Sequence, residues 1–316
     1  MEQRELGSSG IKTAPLVFGG NVFGWTVKGN NTALLLDAFL DAGFNTVDTA
    51  DVYSAWVPGN KGGESETEIG KWLKQSGKRA KVIIATKVGA EIAADKKGLK
   101  KNYIIKAVED SLTRLQTDYI DLYQSHYDDA TTPVEETLLA FDQLIKDGKV
   151  RAIGASNFSV ERLHESLKVS REKGLASYQS LQPEYNLFDR EKYETTLEPF
   201  IKEQSIGVIS YFSLASGFLS GKYRSEADLE GSSRGGMVKK YLTDRGMRIL
   251  KTLDEVAVQY NSKPAAVSLA WLIARPTITA PIVSATSIPQ LNELTLAATL
   301  QLSSEAIEAL NTASAY

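Results

Sequence analysis

No cysteine occurs among the 316 residues, and histidine occurs only twice, at His126 and His164. Disulfides are excluded, which fits a reducing compartment and makes the cytoplasm the expected location. A metal site of the Cys/His kind has too few ligands, so no metal is expected. No run of about 20 apolar residues is present, so no spanning helix is expected. The opening residues, MEQRELGSSGIKTAP, are polar and lack the apolar stretch of a secretory signal. A net charge of −3 offers no basic excess for nucleic acid or an anionic membrane. Two signatures of open-sheet reductases are also missing, G-x-G-x-x-G after the first strand and a Y-x-x-x-K pair. The chemistry must therefore come from Tyr, Lys, Asp, Glu, one histidine or an organic cofactor.

Short apolar, β-rich runs recur along the chain. They are Pro15–Gly20, Phe44–Thr49, Lys81–Lys87, Tyr119–Ser125, Val150–Ala155, Tyr178–Gln182, Gly207–Tyr211 and Ala280–Ser284. Helical periodicity separates them, at Thr32–Ala42, Ser65–Gln75, Asn102–Leu115, Pro133–Lys146 and Val160–Lys173, then Asp244–Tyr260 and Lys263–Ala274. Ser65 with Glu68, and Thr132 with Glu135, read as capping boxes, with Pro133 at a first helical position. Gly43, Gly148 and Gly174 stand where helices should stop.

Eight strands alternating with helices predict parallel βα units and an α/β fold, a (β/α)8 TIM barrel in one domain over residues 1–316. Arg4–Leu6 and Ile11–Thr13, joined by GSSG, predict an N-terminal hairpin plugging the bottom of the barrel. Two long loops follow strands at the C-terminal face, Ser54–Gly63 and Phe212–Thr243. Barrel active sites lie at that face, so these loops suit a pocket lid or a cofactor clamp. The glycines and serines of the second leave it little apolar material for anchoring.

In a closed barrel the strand ends converge on one axis. Asp48, Lys87, His126, Asn157, Gln182 and Tyr211 all stand at or just beyond such ends, and Tyr53 follows Asp48 by five residues. A phenol is a poor acid at neutral pH, with an ordinary pKa of about 10. A neighbouring ammonium favours its ionised form, while burial opposes it. A carboxylate would hold the lysine, and an imidazole would orient a carbonyl or pass a proton. Tyr53, Lys87, Asp48 and His126 thus form a catalytic set that donates a proton to a carbonyl receiving hydride. The hydride needs a cofactor, since no side chain supplies one. Taken singly, each has a structural explanation: a loop cap, a snorkelling lysine, a wall tyrosine, a core histidine. His164 lies on a predicted exposed helix face and receives no role.

The chain resembles the aldo-keto reductase superfamily over essentially its whole length, in the style of bacterial reductases related to potassium-channel β subunits. RELGSSGIKTAPLVFGGNVFG is similar to the hairpin and first strand of the family, and FNTVDTADVY to the segment holding its aspartate and catalytic tyrosine. IIATKVG carries the lysine and YIDLYQSHYDD the histidine. IGASNF and LQPEYNLFDR resemble the nicotinamide-contacting stretches, and ISYFSLASGFLSGKYR the segment whose aromatic stacks on the nicotinamide. The resemblance implies cofactor contacts from Gly20, Asn21, Ser156, Asn157, Gln182 and Tyr211. It implies more from Phe212, Ser213, Leu214, Ser216, Gly217, Lys222 and Arg234, and from Ser284, Thr286, Gln290 and Glu293. Relatives usually have glycine at Ser284, often arginine at Thr286 and commonly asparagine at Leu294.

The function expected is reduction of an aldehyde or ketone by NADPH, with NADH weaker. Lys222 and Arg234, helped by Thr286 and Ser287, are the candidates for reading the 2′-phosphate. Trp25, Trp56 and Tyr127 are expected to line the substrate mouth and favour an apolar or aromatic part of the substrate. The partner expected is a small carbonyl compound, with neither nucleic acid nor membrane, and the chain a monomer or weak homo-oligomer. The alternatives are an NADPH-binding redox-sensing regulatory subunit with little turnover, and an aldolase or isomerase using Lys87 as a Schiff-base amine.

Overall fold

Parallel β-strands separated by amphipathic helices bury both strand faces, and here they close into a barrel. The computed structural model describes residues 1–316. A hairpin of β1 (Arg4–Glu5) and β2 (Lys12–Thr13) precedes the barrel. The barrel strands are β3 (Val17–Gly19), β4 (Thr46–Asp48), β5 (Ile83–Val88), β6 (Ile120–Ser125), β7 (Val150–Ser156), β8 (Tyr178–Gln182), β9 (Gly207–Ser210) and β10 (Ala280–Val283). They pair in parallel in chain order, and β10 closes on β3. Helices α1 (Asn30–Asp41), α2 (Glu64–Ser76), α3 (Lys101–Leu115), α4 (Val134–Lys146), α5 (Val160–Lys173) and α6 (Glu198–Gln204) cover the outside. After β9 come α7 (Gly235–Val238), α8 (Asp244–Gln259) and α9 (Pro264–Ile273), and after β10 come α10 (Ile288–Thr295) and α11 (Ser304–Ala313). No helix is long and apolar enough to cross a membrane.

The eight anticipated strands are all present. The helix before β9 forms although Thr195, Thr196 and Pro199 lie in its run. The structure absorbs them in a π-turn, Tyr193–Leu197, that places Pro199 in the first turn of α6. Both capping boxes fail. α2 starts at Glu64 behind Gly63, and the buried Ser65 hydroxyl instead bonds Thr49 Oγ1 (2.7 Å) and Gly20 O (2.7 Å). Glu68 turns to the Gly29 N–H and to Lys71. Pro133 is the cap of α4 rather than its first residue, and Thr132 donates to Asp129 (2.7 Å). Gly43, Gly148 and Gly174 do take left-handed conformations where α1, α4 and α5 end.

Register explains why polar strand ends meet. Side chains alternate in and out of the barrel wall. Val17, Ala85, Leu122, Ala152, Ile209 and Ala280 fill the lower interior together with Leu6 and Ile11 of the hairpin. The hairpin is therefore the expected plug. It fits because a Cβ at Gly7 would stand 2.2 Å from Gln179 O. Two residues further along each strand, the same inward row carries Gly19, Asp48, Lys87, Gln124 and Gly154, with Asp48 beside Gly19 and Lys87 beside Gln124. The upper layer is thus polar while the lower one is apolar.

The Phe212–Thr243 segment is better anchored than its composition suggested. Phe218, Leu219, Val238 and Tyr241 are all fully buried in the main core, and short helical turns break the loop into pieces. Apolar residues spaced through a Gly/Ser background suffice to pin it.

Candidate active site

Lys87 and Asp48 face each other inside the barrel mouth, with side chains 0% and 1% exposed. The Lys87 ammonium donates to Asp48 Oδ2 at 2.6 Å, to Thr49 O at 2.8 Å and to Tyr53 Oη at 3.0 Å. Its three hydrogens are thereby all used. Tyr53 reaches this point because the loop after β4 folds back over the mouth. Thr49 N–H binds Ala85 O (2.8 Å), and Ser54 Oγ donates to Phe23 O (2.7 Å). Tyr53 Oη lies 3.5 Å from Asp48 Oδ2, at the limit of a hydrogen bond, so its own hydrogen is available to another acceptor. The other carboxylate oxygen of Asp48 accepts from Gln182 Nε2 (2.9 Å) and Gln124 Nε2 (3.3 Å). His126 follows β6, with its ring centroid 6.0 Å from that of Tyr53.

Burial pushes the Tyr53 hydroxyl above its ordinary pKa, outweighing the pull of Lys87, so the phenol carries its proton. Burial also works against the charge on Lys87, but Asp48 and Tyr53 more than reverse it. His126 is pushed down to about 3 by burial and by the Lys87 charge, and its Nδ1 has no protein partner. It is a neutral imidazole throughout the physiological range. Its folded pKa lies below the unfolded value of about 6.5, so the stability it contributes is full above pH ~6.5 and is lost as pH falls toward its folded pKa. The kcat/KM profile is accordingly expected to show no His126 inflection between about pH 5 and 8. An inflection near 6.5 that disappears in His126→Gln would contradict this.

A cavity of about 1130 Å³ opens above these groups. It is lined by every anticipated site residue except Lys87, Gly20 and Ser287. Lys87 lies beneath its floor. Gly20 is turned away, since a Cβ there would meet Asp48 O at 2.9 Å and Ser65 Oγ at 3.0 Å. Its neighbour Gly19 faces the cavity instead, a one-residue register difference within a Gly-Gly pair. On one side Trp25 and Trp56 meet edge to face (5.8 Å), Trp56 meets Tyr53 (6.1 Å), and Tyr127 stacks on His126 (4.9 Å). Trp56 and Tyr127 remain about half exposed, 50% and 51%.

On the other side Tyr211 Oη donates to Asn157 Oδ1 (2.7 Å), and Asn157 Nδ2 donates to His126 O (3.0 Å) and to Ser156 Oγ (3.0 Å). Gln182 has a structural duty toward Asp48 besides facing the cavity. Beyond Tyr211, positive φ at Phe212, Ala215, Ser216 and Gly217 contorts the chain. The main-chain N–H groups of Ser213, Leu214 and Ser216 make no main-chain hydrogen bond. Such successive free donors suit an anion.

Two cations at this rim also have no carboxylate partner. Arg224 and Lys239 in the same segment pair with Asp254 and Glu226. Lys222 instead lies over Tyr223 (4.8 Å), and Arg234 over Trp25 (5.8 Å). Arg234 therefore crosses toward the tryptophan side, which its sequence position did not foretell. At the far end Ser284 Oγ lies 2.7 Å from both Gly19 O and Asn21 Oδ1, its single hydrogen serving one acceptor at a time. Thr286 N–H and Oγ1 both meet Gln290 Oε1, and Ser287 caps α10. Glu293 and Leu294 complete that wall. Free amides, unpaired cations and a helix N-terminus in one long cavity fit a dinucleotide with its phosphates. Gln124 is the residue the sequence reading missed. Its position two before His126 on the same strand was the available signal, since alternate residues share a face.

The aldo/keto reductase family pattern matches residues 15–315. Similar proteins include the uncharacterized oxidoreductase YrpG of Bacillus subtilis, 33% identical over 98% of this chain and 95% of that protein. The aldo-keto reductase YhdN of the same organism is 34% identical over 87% of this chain and 82% of its own. A probable voltage-gated potassium channel subunit beta of Oryza sativa is 32% identical over 93% and 90%.

Proposed function

The chain belongs to the aldo/keto reductase family, and on that premise we propose that residues 1–316 act as one barrel domain that reduces an aldehyde or ketone with NADPH. It is an enzyme, an oxidoreductase acting on carbonyl compounds. The observation that carries the finer reading is the Lys87 ammonium, held 2.6 Å from Asp48 and 3.0 Å from Tyr53 just beneath the floor of the cavity. NADPH, when bound, supplies the hydride that the carbonyl carbon receives.

The chain's own residues supply the rest. Tyr53 keeps its proton because burial disfavours the phenolate. Negative charge developing on the carbonyl oxygen draws that proton across. Lys87, already donating to Tyr53 Oη, stabilises the phenolate left behind. Asp48, fixed by Gln182 and Gln124, keeps the ammonium in place. Neutral His126 donates a hydrogen bond to the same oxygen and orients it. Alcohol oxidation runs through these steps in reverse.

Trp25, Trp56 and Tyr127 receive the apolar or aromatic part of the substrate. Ser156, Asn157, Gln182 and Tyr211 seat the nicotinamide, and the free amides of Ser213, Leu214 and Ser216 with Lys222 and Arg234 seat the phosphates. A small carbonyl compound is the partner, and the cytoplasm the setting. The test is a panel of aldehydes and ketones followed by loss of NADPH absorbance. Nucleotide binding without carbonyl-dependent oxidation would favour a redox-sensing subunit instead.

The cofactor preference has its own test. A charge-assisted contact contributes about 1.5–3 kcal/mol, or roughly ten- to a hundredfold in affinity. Wild type is expected to use NADPH better than NADH, and Lys222→Ala or Arg234→Ala to cut that ratio by about that factor. Equal or better use of NADH by wild type would overturn the preference.

A further inference from the structure

A second group of ionisable side chains lies just outside the barrel wall, back to back with Lys87. Thr86 precedes Lys87 on β5 and so points outward, where its hydroxyl donates to Glu66 Oε1 at 2.6 Å. Arg114 Nε donates to the other oxygen of Glu66 at 2.7 Å. Glu66 is 0% exposed and Asp51, facing the same space, 2%. Neither carboxyl oxygen of Asp51 has a hydrogen-bond partner. The Tyr123 hydroxyl, fully buried on β6, is also unpartnered. The groups facing Asp51 are Glu66 from α2, Arg114 and Tyr103 from α3 and Tyr123 from β6, with the Lys87 charge acting through the wall from inside and Asp110 and Asp95 further out near Tyr103.

The charges in this space do not balance. Lys87 is matched by Asp48 inside the barrel. Outside it, one guanidinium faces two carboxyls. Glu66 takes the hydrogen bonds, so Asp51 is left to carry the odd proton. Burial and the neighbouring Glu66 both act in that direction, raising Asp51 well above the ordinary carboxylate range.

Asp51 lies between Asp48 and Tyr53 on one short loop. Its N–H is clipped to the carbonyl of Lys87 at 3.2 Å. We propose that Asp51 is a positioning residue for Tyr53: as an uncharged acid it lets this loop seat against β5, and as a carboxylate it unseats it. A second anion beside Glu66, shut away from water, is relieved only by moving the loop outward. That movement draws Tyr53 Oη away from Lys87 and loosens the proton donor. Turnover thereby becomes sensitive to alkaline pH through a residue that touches neither substrate nor cofactor.

The sign follows from linkage. A carboxyl whose folded pKa is raised supports the fold at low pH and does so less as pH climbs from about 3.9 to its folded value. Asp51→Asn, which imitates the neutral acid, escapes this loss. Its folding equilibrium constant relative to wild type is expected to rise by up to about tenfold per pH unit over that range. In isotope-edited infrared spectra, aspartate-labelled wild type at pH 7 is expected to show a carboxylic-acid band that Asp51→Asn lacks. If Asp51→Asn does not fold, Asp51→Glu removes the band from the aspartate signal equally well. The alkaline limb of kcat is expected to move to higher pH in Asp51→Asn. A carboxylate spectrum at pH 7, or a wild type that gains on Asp51→Asn as pH rises, would overturn the proposal. The kcat arm rests on the reductase reading; the folding and infrared arms do not, so the two can fail separately.

Discussion

Tyr53→Phe is expected to lower kcat for carbonyl reduction by about 10²- to 10⁴-fold, the range supplied by a positioned general acid. NADPH affinity should stay close to wild type, because the ring that packs against Trp56 and His126 is retained. The removed atom is the one that Lys87 contacts at 3.0 Å. No other hydroxyl is bonded to that ammonium. Steady-state turnover and nucleotide titration of the variant check both halves. Turnover within threefold of wild type would take Tyr53 out of the acid role, and the hydroxyl would then serve only packing.

Lys87→Met should be damaging in two distinguishable ways. The side chain is about the same length, so the cavity floor stays filled. What is lost is the charge beside Asp48, which is 1% exposed and would keep Gln124, Gln182 and the distant Tyr53 hydroxyl as its neutral donors. Removing one partner of a buried pair typically costs about 3–5 kcal/mol, because the other charge is left uncompensated. Turnover should fall by about 10²- to 10³-fold, the usual loss when one donor to a developing anion is removed. Lys87→Met with Asp48→Asn separates the effects. The double variant should recover much of the stability, measured by urea denaturation, and none of the rate. If Lys87→Met kept the wild-type rate and midpoint, Lys87 would be a structural lysine and the proton-donor assignment would lose its support.

The parts of the site that the sequence displayed are those governed by strand periodicity. Asp48, Lys87, His126 and Gln182 stand at ends of short β-rich runs, and barrel closure turns such ends into neighbours. The spacing from Asp48 to Tyr53 allowed the loop to return over the mouth. Gln124 was equally accessible to this logic, being in step with His126, but a neutral amide in a strand attracts no attention until Asp48 is seen to need a donor.

Other features depend on properties that periodicity does not encode. Gly19 and Gly20 differ by one register step, and only the strand pairing decides which faces the cavity. Ser65 and Thr132 have the composition of caps, yet each found a better partner from another part of the chain, Thr49 and Gly20 in one case and Asp129 in the other. Arg234 lies in a loop whose path over Trp25 is set by the buried anchors Phe218 and Val238 on either side. Asp51 looked like one more polar residue in a loop motif. Its burial arises because α2 and α3 close over the back of β5.

The most direct test of the account is the fate of a labelled hydride. Wild type would be incubated with NADPH carrying deuterium at C4 of the nicotinamide, on the face transferred, and with the best carbonyl of the panel. The expected result is one deuterium on the carbinol carbon of each alcohol formed, one nucleotide oxidised per alcohol, and loss of both in Tyr53→Phe. Alcohol formed without label, or carbonyl chemistry that proceeds with no nucleotide present, would contradict it.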